Sequence, residues 1–149
     1  MSLEYEAWCV SRPDVLVVSR TSSLLMKLVL GVDDRIVVPE KIGELWRLTW
    51  GVSVFAQVDI MGPELAEIPG RWTLSAAMGR RGESFDELLS LIVVAAAATV
   101  YGGEVVDESR RLPSRQVDPA RLVLMLARSG KRDPGGLLRL SRLATAEDE

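Results

Sequence analysis

The chain has 149 residues, a formal net charge of −3 at pH 7, a single cysteine and no histidine. Its length is that of one domain, and its apolar fraction of 48% and charged fraction of 26% are typical of a globular protein that folds without disulfides or a structural metal. The missing histidine excludes imidazole-based catalysis and histidine metal ligation, and the single cysteine excludes a disulfide framework and a thiolate zinc site.

The sequence predicts neither a signal peptide nor a membrane-spanning segment. Residues 1–6 are acidic, whereas a signal peptide begins with basic and then apolar residues. The longest apolar stretch, residues 91–100, is far shorter than the roughly 18 residues that a membrane span needs. We therefore expect a soluble, cytoplasmic protein that does not associate with membranes.

The first third of the chain predicts two strands and a short helix. Residues 3–10 alternate between apolar and polar side chains, and residues 15–19 are rich in β-branched side chains, so both read as strands. Ser22 or Ser23 would then cap a helix that ends at Gly31.

The next segment predicts a third strand over residues 35–38 and a second helix that starts at Pro39, a residue favoured in the first turn. This helix would end at Gly51. The apolar side chains that would share one face of it are Ile42, Leu45, Trp46 and Trp50.

The middle of the chain predicts a hairpin followed by a buried helix. Residues 52–61 and 71–78 alternate cleanly and are joined by a loop over residues 62–70. Residues 85–101 are apolar on almost every side, which indicates a core helix, and Ser84 with Glu87 predicts a capping box at its start. A short strand over residues 104–107 follows.

The C-terminal part changes character. Residues 117–128 predict a helix, residues 130–136 a flexible glycine-rich break, and residues 137–146 a short amphipathic helix. We therefore divide the chain into a single domain over residues 1–128 and an extension over residues 129–149.

This order of elements predicts an α+β fold, in which helices pack on one face of a mainly antiparallel sheet. A ferredoxin-like arrangement is the simplest version, with a C-terminal helical extension.

Charge is distributed unevenly along the chain. Residues 1–109 hold 9 basic and 16 acidic side chains, whereas residues 110–142 hold 9 basic and 2 acidic side chains. Such asymmetry indicates an acidic partner for the basic segment. It is equally consistent with a basic segment that packs on the acidic body of its own chain.

Three local features are candidates for chemistry. Arg80 and Arg81, in a turn before the core helix, could hold an anion. Glu104, Asp107 and Glu108 could hold a hard cation, although acids at strand ends are more often solvated. Cys9, in an apolar strand, reads as an inert core thiol. We assign no metal, no cofactor and no catalytic residue.

We expect a non-catalytic protein-binding module, such as an adaptor, an inhibitor or an immunity-type protein, whose partner has an acidic surface. The proposed partner-binding residues are Arg110, Arg111, Arg115, Arg121, Arg128, Lys131 and Arg132. We also expect a homodimer to which residues 137–146 contribute.

Two alternatives remain open. One is nonspecific nucleic-acid binding through residues 110–142, which is less favoured because no aromatic residue follows Tyr101. The other is a histidine-free enzyme that uses carboxylates and a metal.

Overall fold

The computed structural model describes residues 4–31, 35–51, 54–64, 70–78, 84–107 and 116–132; the side chains of Met78, Ser84 and residues 129–132 are not described. Within these ranges the chain forms seven strands and three helices. In chain order they are β1 (Glu4–Cys9), α1 (Val15–Leu30), β2 (Val37–Ile42), β3 (Leu45–Trp50), β4 (Val54–Met61), β5 (Trp72–Met78), α2 (Ser84–Val100), β6 (Gly103–Val106), β7 (Gln116–Val117) and α3 (Pro119–Arg132).

The strands form one sheet in the order β2-β3-β4-β5-β1-β6-β7, and every neighbouring pair is antiparallel. The predicted α+β class is confirmed. The ferredoxin-like version differs from this topology, because four strands lie between α1 and α2 where the βαββαβ order has two.

The helices pack on one face of the sheet, and α2 is the most buried of them. Helix α2 lies against β1, β4, β5 and β6, and α1 and α3 contact both α2 and each other. Residues 88–98 are each at most 1% exposed, as a helix that is apolar on every side requires. The predicted core helix is therefore confirmed. Helices α1 and α3, the two outer helices, pack against α2 and also reach the sheet, α1 at β2 and β3 and α3 at β6.

Helix α1 starts earlier than the sequence pattern predicts, and the strand predicted over residues 15–19 is wrong. Asp14 is the N-cap, and its Oδ1 accepts a hydrogen bond of 2.9 Å from the Leu16 amide. The cap is therefore neither Ser22 nor Ser23, although Gly31 does end the helix with φ 71°. Packing of one face against the core overrides the β-branched composition.

The helix predicted from Pro39 to Gly51 is wrong, because this segment is the β2–β3 hairpin. Its turn consists of Gly43 and Glu44, and Gly43 has φ 64°. Trp46, Leu48 and Trp50 alternate with Arg47 and Thr49, which is the strand period. Pro39 lies in edge strand β2, where proline is tolerated.

At the C-terminal end, α3 confirms a helix after residue 117 and continues to Arg132, so Gly130 is helical and not part of a break. The helix predicted over residues 137–146 lies outside the described residues. Among the helices that the structure describes, none is long and apolar enough to span a bilayer.

Candidate functional site

The outward side of α1 is unusually apolar. Helical spacing places Val15, Val18, Met26 and Val29 towards the core, where they are buried. The opposite side presents four large apolar side chains that are 37 to 67% exposed, namely Leu16, Val17, Leu24 and Leu28. Single exposed leucines are ordinary, but a row of them on one helix marks an interaction surface.

The buried side of α1 and one hydrogen bond to the sheet set the rotation of the helix, so this apolar side faces outwards. The Ser19 hydroxyl donates to the Val15 carbonyl at 2.7 Å, and the Ser23 hydroxyl donates to the Ser19 carbonyl at 3.0 Å. Ser23 Oγ also accepts a bond of 2.8 Å from the Val37 amide at the start of β2. The helix is thereby tied to the sheet along its serine-bearing side.

Helix α3 extends the same surface. Leu122, Met125 and Leu126 are buried, whereas Arg121, Leu124 and Arg128 are exposed, Leu124 by 59%. A groove of about 300 Å³ runs beside Arg121, Leu124 and Arg128. Because α1 and α3 contact each other, we treat their exposed side chains as one surface, the outer helical face. It consists of Leu16, Val17, Arg20, Leu24, Lys27, Leu28, Arg121, Leu124 and Arg128.

The charges on these two helices have one sign. Together α1 and α3 contain six basic residues and neither aspartate nor glutamate, whereas the buried helix α2 contains Asp86 and Glu87 and no basic residue. The basic residues of the two outer helices are Arg20, Lys27, Arg121, Arg128, Lys131 and Arg132. The outer helical face is therefore apolar and positively charged.

The structure brings part of the predicted basic set together. Arg121 and Arg128 lie one above the other on the exposed side of α3, and Lys131 and Arg132 form its last turn. Arg110, Arg111 and Arg115 lie outside the described residues. Helix α3 packs on α1 and α2 through apolar side chains, and Arg121 and Arg128 are exposed.

The contribution of α1 to this surface was missed from the sequence. A signal was present, because Leu16, Arg20, Leu24 and Leu28 recur at four-residue spacing. The strand predicted over residues 15–19 hid this signal, because it separated Leu16 from the other three residues of the helical pattern.

The anion and cation candidates are only partly described. Arg80, Arg81 and Glu108 lie outside the described residues. Glu104 is half-buried on β6 and Asp107 is fully buried just after it. Across the described ranges, no three Cys, Asp or Glu side chains are grouped in a way that could hold a metal ion.

Cys9 is buried against the core helix, and its Sγ donates to the Ala97 carbonyl at 3.7 Å. Burial raises the pKa of this thiol from 9.0 to about 11, although the nearby charge of Arg71 opposes the rise. A protonated, enclosed thiol is a poor nucleophile.

The two acids at the start of α2, Asp86 and Glu87, are buried, and both accept hydrogen bonds from neighbouring strands. Tyr5 Oη donates to Glu87 Oε1 at 2.7 Å, and the Phe55 amide donates to Asp86 Oδ1 at 3.1 Å. They tie the core helix to β1 and β4. The capping box with Ser84 involves a side chain that is not described.

No known protein family matches the chain, and no curated protein or solved structure is significantly similar to it. Its function is therefore inferred from the chemistry of its surface.

Proposed function

We propose that the protein is a non-catalytic binding module that recognises another protein through the outer helical face. One observation carries the proposal: five exposed large apolar side chains lie among basic side chains on two adjoining helices that contain no acidic residue. These apolar side chains are Leu16, Val17, Leu24, Leu28 and Leu124.

The apolar residues would supply most of the affinity. Complete burial of one leucine side chain contributes about 1.5–3 kcal/mol, so covering two or three of them supports measurable binding after the cost of association. The spacing of Leu24 and Leu28 suits a partner helix or an extended segment that lies along α1.

The basic residues would select the partner and orient it. Arg20, Lys27, Arg121 and Arg128 place positive charge beside the exposed leucines. Opposite charges across an interface speed association and disfavour wrong partners. The expected ligand is therefore a protein segment that combines leucine-like or aromatic side chains with Asp and Glu.

A second copy of this chain fits the same face less well. In a two-fold symmetric dimer the same patch meets itself, so these basic side chains would oppose their own copies. The homodimer through residues 137–146 uses a different segment and remains a separate proposal, as does a cytoplasmic location.

Nucleic-acid binding is the second candidate, because α3 carries Arg121, Arg128, Lys131 and Arg132. Two features disfavour it. Helices α1 and α3 contain no aromatic residue for base stacking, and contacts to phosphate groups do not explain the exposed leucines. The protein-binding proposal accounts for both features of the surface.

Selection from a random 16-residue peptide library displayed on phage, with the full-length protein as bait, tests the proposal. We expect the enriched peptides to be rich in Asp and Glu together with Leu, Phe or Trp. The Leu24→Ser/Leu28→Ser variant should bind a selected peptide at least about tenfold more weakly, since each 1.4 kcal/mol is a factor of ten.

A matched control is available on the open side of the sheet. Val38 and Ile42, which are 49% and 44% exposed on β2, can be changed to serine together. This control should retain full peptide affinity. Enrichment without an acidic bias, or equal losses in both double variants, would contradict the proposal, and tighter binding of a 20-base-pair DNA than of any peptide would favour the second candidate.

A further inference from the structure

A cleft of about 640 Å³ lies where the first turn of α1 passes over one end of the sheet. It is separate from the leucines of α1 that lie further along the helix, and it meets the outer helical face at Leu16. Its volume lies within the range of small-molecule sites, which are usually about 300–1,000 Å³.

Three aromatic or aliphatic side chains of the sheet, Trp46, Ile60 and Trp72, line one side of the cleft. In the strand register Trp46 is opposite Val58 and Ile60 is opposite Leu74, so Trp46, Ile60 and Trp72 follow a diagonal across β3, β4 and β5 on the helix-bearing face. Both indoles are half-buried. A flat ring could therefore lie over Ile60 with an indole at either side.

A cation accompanies each indole. The Arg12 guanidinium lies 5.7 Å from the centroid of the Trp72 ring, and Lys41 Nζ lies 6.0 Å from the centroid of the Trp46 ring. Both distances are within the range of cation–π attraction, which holds each positive charge beside its indole.

The acidic residues of the lining are placed differently. Asp14 caps α1 through the Leu16 amide, and its own amide donates to Tyr101 Oη at 3.0 Å, so its carboxylate already serves the helix start. Glu44 lies in the exposed turn of the β2–β3 hairpin. The aromatic part of the cleft is thus accompanied by Arg12 and Lys41.

We propose that this cleft binds a small aromatic carboxylate. Its ring stacks against Trp46 or Trp72 over Ile60, and its carboxylate faces Arg12 and Lys41. Stacking and charge-assisted hydrogen bonds are the two interactions that such a lining offers. The cleft shares Leu16 with the outer helical face, but the residues that carry this proposal, Arg12, Lys41, Trp46 and Trp72, lie outside α1 and α3.

The four tryptophans allow a direct test by NMR with 2-naphthoate as the probe. In ¹⁵N-labelled full-length protein, each indole N–H gives one signal, assigned through single Trp→Phe variants. Saturable shifts should appear for Trp46 and Trp72. Trp8 and Trp50 are buried and absent from the lining, so their signals should move little.

Charge dependence completes the test. The Arg12→Gln/Lys41→Gln variant should bind 2-naphthoate about tenfold or more weakly, whereas its affinity for neutral 2-naphthalenemethanol should change little. Arg47→Gln, which removes a cation over Phe55 on the other face of the sheet, should change neither affinity. The Leu24→Ser/Leu28→Ser variant should also bind 2-naphthoate normally.

Three results would overturn the inference: no saturable shift, shifts of all four indole signals, or tighter binding of 2-naphthylmethylamine than of 2-naphthoate. Each of them leaves the partner-binding proposal intact, because that proposal depends on α1 and α3 and not on the cleft.

Discussion

A few buried polar side chains tie the core helix of this protein to the sheet. Tyr5 and Glu87 join the centre of the sheet to the first turn of α2, and both are almost fully buried. A buried carboxylate is costly unless hydrogen bonds satisfy it. The carboxyl group of Glu87 therefore has a structural explanation and does not point to catalysis.

Tyr5→Phe should lower the free energy of unfolding by about 1–3 kcal/mol, because it removes a donor from a buried carboxylate. Urea unfolding measures the change. Tyr101→Phe is the matched control: its hydroxyl accepts a bond from the Asp14 amide at a more exposed position, so a smaller loss is expected. Equal midpoints for Tyr5→Phe and the unmodified protein would mean that the buried pair does not form.

Cys9 should make stability depend on pH in the alkaline range. Burial raises the pKa of the folded-state thiol to about 11, so the unfolded chain loses this proton first, near 9.0. The resulting stabilisation is complete below pH 9 and decreases as the pH rises towards 11, by at most about 1.4 kcal/mol per unit.

The comparison of the unmodified protein with Cys9→Ala isolates this effect, because tyrosine and lysine titrate in both. Urea unfolding at pH 8, 9 and 10 should show a steeper decline in the unmodified protein. If the two declines are parallel, the thiol is not protected from ionisation by burial.

At the scale of elements, the sequence identified those whose signal was unbroken. The β4–β5 hairpin could be predicted because its apolar residues alternate throughout, and α2 because a long apolar run follows the Ser84–Glu87 capping pattern. The first turns of α1 could not, since two members of its buried stripe are Ser19 and Ser22 and its first residues are mostly β-branched. The β2–β3 hairpin was missed because its apolar residues fit both the helical and the strand period.

Gly103 shows how closely two elements approach. It pairs with Cys9 across β1 and β6, and an added Cβ there would overlap the Trp8 carbonyl. Gly103→Ala should therefore destabilise the fold by at least about 2 kcal/mol, since the backbone must move.

Gly31→Ala is the control for Gly103→Ala. Gly31 has φ 71° but open space around its Cα, so only the left-handed conformation opposes a side chain, at about 1 kcal/mol. Thermal unfolding of both variants should place Gly103→Ala well below Gly31→Ala. The reverse order would contradict the close β1–β6 approach.

The whole molecule separates its charges by element. The described strands carry five acidic and two basic side chains, α2 is buried, and the outer helices α1 and α3 carry basic charge alone. Counting charges along the sequence detected the basic residues of α3, because they lie in the continuous basic segment of residues 110–142. The basic residues of α1, Arg20 and Lys27, could be assigned to this surface only once the outward side of that helix was known.

The central claim is that the outer helical face binds a partner, and amide hydrogen exchange tests it most directly. Exchange is measured on the full-length protein with and without a saturating selected acidic peptide. We expect added protection in α1 around Leu24 and Leu28 and in α3 around Leu124, with β2 and β3 unchanged. Added protection confined to β2 and β3, with α1 and α3 exchanging as in the free protein, would contradict the claim.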